Sequence, residues 1–283
     1  MPILAQIKKD MDFYKGLGSL LKVLKGVAVS QFHILEKKLK TFDKFSYAVE
    51  SFIEGIDTGS IPHPFLKAFN QNQAIIAVTS DSGLLGGLNM QVMNMSFSEL
   101  KSEKDILMIV GERGKIYAQE SRIPYKGFPG IKDETRFDLA LTIRDYVLKK
   151  VVDQEVSRVS IIYPKALSLI NQRLEKFSPL PYGRTETESN FPLMNLKEFI
   201  QESSLEDIVE YLVFLWMGQK LYDILGYARL AELGARFIHL EESSHRLEDL
   251  DKQLRLKFFR FKHEITDRSM REIFAARSTC INR

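Results

Sequence analysis

The chain has 283 residues, 45% of them hydrophobic, and a formal charge of +3 from 40 basic and 37 acidic side chains. That is enough apolar material for a sizeable core, and it excludes a globally disordered chain. The charges are too evenly balanced for a nucleic-acid face, and the densest basic cluster, Lys37, Lys38 and Lys40, falls in a helical pattern and reads as a solvated face.

Cys280 is the single cysteine, which excludes an internal disulfide and a cysteine-based zinc site and fits a reducing compartment or indifference to redox. No run of about 18 apolar residues occurs, so no helix is expected to span a membrane. Residues 1–30 carry Lys8, Lys9, Asp10 and Asp12 and lack the form of a secretory signal.

Residues 3–55 are predicted as one long helix. Ile7, Met11, Tyr14, Gly18, Leu21, Lys25, Ala28, Phe32, Leu35, Leu39 and Phe42 recur at alternating spacings of four and three, with only Lys25 polar. That is the pattern of a coiled-coil seam. Gly16, Gly18 and Gly26 lower helix propensity by up to about 1 kcal/mol each, and are expected to let a second helix approach closely. Gly55, the run Asp57-Thr58-Gly59-Ser60, Pro62 and Pro64 end the helix and form a linker.

Residues 72–181 alternate strand and helix signals. Ala74–Val78 is apolar and partly β-branched, as in a central strand covered on both faces. Thr79-Ser80-Asp81-Ser82 supplies a turn and a helix cap, and Gly83, Gly86 and Gly87 carry the chain toward a helix over Leu84–Leu100. A strand at Asp105–Val110, a short helix at Lys115–Glu120 and an edge strand at Arg122–Phe128 follow. A longer helix is expected over Asp133–Val156 and a strand over Arg158–Tyr163, stopped by Pro164. Leu167–Phe177 is the weakest strand signal. Such alternation implies a parallel or mixed sheet with helices on its faces, a Rossmann-like α/β domain.

Pro179–Asn195 holds three prolines and a polar run and reads as a loop. Ser203-Ser204 with Glu206 and Asp207 then caps a second long helix, expected through Arg277 and free of proline. Ile208, Leu212, Leu215, Leu221 and Leu225 mark its first half. Leu247, Leu250, Leu254, Phe258, Phe261, Ile265 and Ile273 mark its second. About 70 helical residues extend roughly 105 Å, more than one domain of this size buries. Much of that length must lie against the N-terminal helix or inside a partner.

Chemistry-bearing motifs are few. The glycine turn lacks the Gly-Lys-Ser/Thr of a phosphate loop, and Ser82 and Leu85 break the spacing of a dinucleotide fingerprint. The turn therefore reads as packing more than as phosphate binding. Asp81, at the end of a central strand, is either a ligand carboxylate or a partner of turn and cap amides. Glu241 and Glu242 with His245 share a helix face and read as exposed polar surface or, less simply, a metal pair. No nucleophile elbow and no zinc-hydrolase spacing occurs. Phe258, Phe259, Phe261 and Phe274 crowd the C-terminus and fit either packing on the other long helix or, as the helix length favours, contact inside a ring of partner subunits.

Three stretches then carry a resemblance. Thr79–Asn89, TSDSGLLGGLN, is similar to the T-S-D-R-G-L-C-G-G-L-N signature of the gamma subunits of F-type ATP synthases, with Ser82 and Leu85 replacing arginine and cysteine. Leu24-Lys25-Gly26-Val27-Ala28 resembles that family's M-K-M-V-A, and Asp249–Phe258 resembles its D-L-x-x-x-L-x-L-x-Y. Ile265-Thr266, Glu272-Ile273 and Glu232 with Ala235-Arg236 also match. The Arg-Gln pair that precedes Ile-Thr in the family is replaced by Phe261-Lys262, or by Lys262-His263 after a one-residue deletion, which turns a helix face by about 100°.

The resemblance implies an antiparallel coiled coil of the N- and C-terminal helices (1–58 and 204–283), a central α/β domain (72–181) and a loop (182–203). It implies a central rotor stalk that couples ion flow through a membrane ring to ATP synthesis or hydrolysis in a catalytic hexamer. The chain itself would carry no catalytic residue, cofactor or metal. Implied partners are the alpha and beta subunits, an epsilon- or delta-type stalk subunit and the membrane c-ring, with no nucleic acid. The implied place is the cytoplasmic face of a bacterial inner membrane, or else the matrix face of the mitochondrial one. Partner contacts would come from Leu24, from Arg255, Lys257, Arg260 and Lys262 toward acidic loops, and from a smooth tip of Phe274, Ala275 and Ala276. Asp81, Gly83, Gly86 and Gly87 would shape the turn. Two other readings stand beside this one: an α/β ligand-binding protein or enzyme using Asp81 and Gly83–Gly87 and dimerised through its helices, and a coiled-coil adaptor.

Overall fold

The computed structural model describes residues 2–39, 62–182 and 203–281, with side chains over 4–39, 62–182 and 203–275. The predicted helix beyond Leu39, the first part of the linker and residues 183–202 of the predicted loop lie outside the described residues. The elements in chain order are α1 (Pro2–Leu39), β1 (Gln73–Val78), α2 (Leu88–Glu99), β2 (Ile106–Val110), α3 (Glu112–Glu120), β3 (Lys126–Phe128), α4 (Arg136–Val152), β4 (Arg158–Ala166), β5 (Gln172–Leu180) and α5 (Leu205–Ile281). Two compact units result, Val29–Phe237 and the pair Met1–Ala28 with Ile238–Arg283.

In Val29–Phe237 the five strands form one sheet in the order β3-β2-β1-β4-β5, parallel except for the antiparallel β4–β5 hairpin. All six residues of β1 are buried because both sheet faces are covered. Side chains alternate along a strand, so Ala74, Ile76 and Val78 meet one core and Ile75 and Ala77 the other. The first core is closed by α4, through Leu139, Ile143 and Val147, and by α5, through Val213, Trp216, Leu221 and Leu225. The second is closed by Val92 and Met93 of α2 and Ala118 of α3. Phe32, Leu35 and Leu39 of α1 make a third cluster with Leu230 and Leu233 of α5.

Several boundaries differ from the sequence expectation, each for a local reason. Helix α2 starts at Leu88 instead of Leu84, since Leu84 (φ +65) and Gly86 (φ +59) hold left-handed conformations that no right-handed helix contains. Helix α3 starts at Glu112 instead of Lys115, because its first amides are held by residues of the β1 turn, as described below. Pro164 does not stop β4. The β1–β4 pairing ends at Ile162, so β4 runs on paired only to β5, a setting that tolerates proline. Residues 167–171 are the hairpin turn, with the Leu167 and Ser168 amides donating to Asn171 O, so β5 begins at Gln172 and runs to Leu180.

In the other unit α1 and α5 pack antiparallel. Ile7 and Ala28 are buried, Met11, Tyr14 and Leu21 are half-buried, and Leu240 and Leu247 of α5 are buried opposite. The one polar position of the seam, Lys25, has its ammonium on the Glu241 carboxylate. That contact holds the Glu241 carboxyl below the usual carboxylate range. Of the three α1 glycines only Gly18 is approached, since a Cβ there would lie 3.4 Å from Leu247 Cδ2, whereas Gly16 and Gly26 have nothing within 4 Å. Close helix approach therefore explains Gly18 alone.

Candidate functional site

Open α/β sheets bind ligands at the carboxyl ends of strands where the strand order reverses. Here that point lies between β1 and β4, so the Thr79–Asn89 turn is where a ligand site would form. Every polar side chain of Thr79–Ser82 is engaged within the chain. Thr79 Oγ1 donates to Val110 O (2.6 Å) and accepts from the Gly114 amide (3.0 Å). The Ser80 amide donates to Asn89 Oδ1 (3.1 Å), and Asn89 Nδ2 donates back to Ser80 Oγ (2.9 Å). Asp81 Oδ1 accepts from the Glu112 amide at 3.0 Å. The turn therefore caps α3, the third element after it, and not α2, whose N-cap Gly87 has no side-chain cap bond.

Ser82 faces α5. Its hydroxyl donates to Glu232 Oε1 (3.3 Å) and accepts from Arg236 Nη2. Glu232, 5% exposed, takes Arg229 on Oε2 (2.6 Å) and Arg236 on Oε1 (2.5 Å). This clamp includes Arg229, which belongs to none of the sequence motifs. The legible signal was the i,i+3 and i,i+4 spacing of Arg229, Glu232 and Arg236 around one carboxylate. The crevice itself is filled: Val78, Ser80, Leu85, Pro164, Ala228 and Glu232 enclose about 10 Å³, room for about one water.

The turn glycines separate by cause. Gly86 holds φ +59, and a Cβ at Gly83 would come within 2.9 Å of Arg113 Nη2. Gly87 meets only ordinary contacts, at 3.8 Å and beyond, so neither crowding nor backbone angle demands glycine there. Leu84, 52% exposed at φ +65, carries left-handed strain of roughly 1 kcal/mol.

The residues expected to meet partners lie on the helices. Leu24 is 37% exposed on α1. Arg255 is exposed and paired with Asp251 at 2.8 Å, and Lys257, Arg260 and Lys262 are exposed. Phe274 is 68% exposed and Ala275 is exposed, while the side chain of Ala276 lies outside the described ones. From Phe259 to Ala275 every α5 residue is exposed, including Phe259, Phe261, Ile265, Met270, Ile273 and Phe274. His245, read with Glu241 as polar surface or a metal pair, lies 3.6 Å from Glu241 with its side chain 69% exposed. No helix among the described residues is long and apolar enough to cross a membrane.

The fold and this turn define a framework protein: an α/β domain whose ligand crevice is filled by its own long helix, joined in sequence to a helix pair with a bare apolar end. A family model described as ATP synthase matches residues 3–278. The chain belongs to the ATP synthase family. It is 26% identical to the ATP synthase gamma chain of Clostridium beijerinckii, with 95% of each chain covered, and 23% identical to that of Mycoplasmopsis pulmonis, with 97% of this chain and 99% of the other covered. Among solved structures it is similar to a chain of the Euglena gracilis mitochondrial ATP synthase OSCP/F1/c-ring in rotational state 3, at TM-score 0.72 and 15% identity over 98% of this chain and 94% of that one. It is also similar to a chain of the same organism's ATP synthase rotor, at TM-score 0.65 and 15% identity over 94% and 99%.

Proposed function

We propose that this chain is the central rotor stalk, the gamma subunit, of an F-type ATP synthase. It is a non-catalytic subunit that couples ion flow through a membrane ring to ATP synthesis or hydrolysis in a catalytic hexamer. The observation that carries the reading is the Phe259–Ala275 stretch, in which every residue is exposed, six of them large and apolar. Such a surface calls for an enclosing partner. In this reading alpha and beta subunits surround that stretch, Arg255, Lys257, Arg260 and Lys262 meet acidic loops, and Leu24 and the Phe274–Ala276 tip touch the hexamer wall. The α/β domain serves as a foot toward an epsilon- or delta-type subunit and the c-ring, with Asp81 and the glycine turn shaping it. The complex works at an energy-transducing membrane, on the cytoplasmic face in a bacterium. An asymmetric shaft contacts the catalytic subunits differently at each angle, so rotation and nucleotide affinity are linked.

Co-purification tests this. Tagged chain is expected to bring down a stoichiometric hexamer with ATPase activity, while the chain alone binds no nucleotide. Nucleotide binding by the isolated chain, or purification without a hexamer, would support the ligand-binding or adaptor readings instead. The filled crevice beside Glu232 counts against the ligand-binding reading.

A further inference from the structure

Two buried arginines of α4 meet α5 in the same way. Arg136 Cζ lies 4.1 Å from the Tyr222 ring centroid, and Arg144 Cζ lies 3.4 Å from that of Phe214. Each guanidinium also sits in the notch left by a glycine. A Cβ on Gly226 would lie 2.9 Å from Arg136 Nη1, with Leu39 Cδ2 closer still, and one on Gly218 would lie 3.1 Å from Arg144 Nη1. The arginines are 4% and 8% exposed. They stand eight residues apart on α4, and both the rings and the glycines stand eight apart on α5, in the opposite sense. In each set the glycine follows the ring by four residues, one helical turn on. The same clasp is thus made twice along an antiparallel contact.

Stability alone does not account for the clasps. Arg144 pairs with Asp145 at 2.7 Å, but Arg136 Nε and Nη1 are buried without an acceptor. Burying unbonded charged donors is costly, and an apolar side chain of similar volume is often as stable or more so. What a planar cation adds is direction. The buried stripe of α5 already resists rotation about the helix axis, since turning it would expose Val213, Trp216, Leu221 and Leu225. A rigid plane held between a ring and a glycine adds an angle-dependent restraint to that packing.

We infer that Arg136 and Arg144 are positioning residues that fix the rotational register of α5 on the α/β domain, so that turning force passes between helix and domain through these two clasps. The register claim stands on the geometry; its consequence for turning force rests on the stalk reading. The test uses the full chain with Arg136→Met/Arg144→Met, and separately with Arg136→Lys/Arg144→Lys. Spin labels at Asp138 and Tyr211, both exposed, with Cys280→Ser, report the α4–α5 distance. Wild type is expected to give one narrow distance and the Met variant a broadened one, with melting within about 4 °C of wild type. In the assembled complex the Met variant should still hydrolyse ATP, but ions moved per ATP should fall to about half or less. Lysine should not rescue, because it keeps the charge and loses the plane. An unchanged narrow distance in the Met variant overturns the inference. So does a large fall in melting temperature, which assigns the arginines to stability, or full coupling in either variant. A wild-type chain that forms no complex counts against the stalk reading alone and leaves the distance measurement decisive for the register.

Discussion

His63 reads only as a polar residue in a linker between two prolines, and its surroundings come from elsewhere in the chain. Its Nδ1 accepts from the Phe65 amide (3.3 Å), its ring lies 4.8 Å from that of Phe65, and Nε2 is 3.9 Å from Glu210 on α5. Burial lowers its pKa from 6.5, and the charges of Glu210 and Glu206 only partly offset that. The folded state thus prefers neutral imidazole, and the unfolded chain takes up the proton first as pH falls below 6.5. Melting temperature is expected to drop between about pH 7 and pH 5, and His63→Gln should remove part of that slope. Glycines show the same dependence on surroundings. Gly111 holds φ +95, and a Cβ there would lie 2.6 Å from Thr79 O, so Gly111→Ala should cost about 2–3 kcal/mol in urea denaturation. Gly87→Ser, at an N-cap with free space, should stay within about 0.5 kcal/mol of wild type. Gly87 belongs to the recognisable signature and Gly111 does not, because a motif records residue identity and not the backbone that crosses it.

At the scale of elements, periodicity was legible wherever one face of an element is buried along its length. The α1 stripe from Ile7 to Leu39 falls on the less exposed positions throughout, and β1 alternates between two cores. Element ends were less legible because they depend on distant groups: α3 begins where Asp81 and Thr79 reach its amides. The long C-terminal helix was readable from its cap and its lack of proline, but not the fact that it fills the sheet's own crevice. Glu232 makes that contact specific, and Glu232→Ala would leave Arg229 and Arg236 largely buried around a missing carboxylate. A loss of about 3 kcal/mol is expected, measured by urea denaturation of the full chain.

At the scale of the whole molecule, the division into two units separates the stability of the α/β domain from the C-terminal stretch. Val29–Phe237 contains no residue of the C-terminal stretch. Deleting residues 270–283 is therefore expected to leave its unfolding transition within about 2 °C while weakening torque or assembly in the complex. A truncated chain whose complex couples as well as the full one would remove the tip from the contact surface. By itself the sequence determined the order of helix, α/β domain and helix, the apolar seam of α1 and the kinship carried by Thr79–Asn89, because periodicity and local motifs are written in neighbouring residues. The tertiary structure alone decided that the turn after β1 caps α3, that Ser82, Arg229, Glu232 and Arg236 form one clamp, and that α4 holds α5 by two arginine clasps. Those features join residues as much as 154 positions apart, and which side chains meet over such separations is settled only when the core packs.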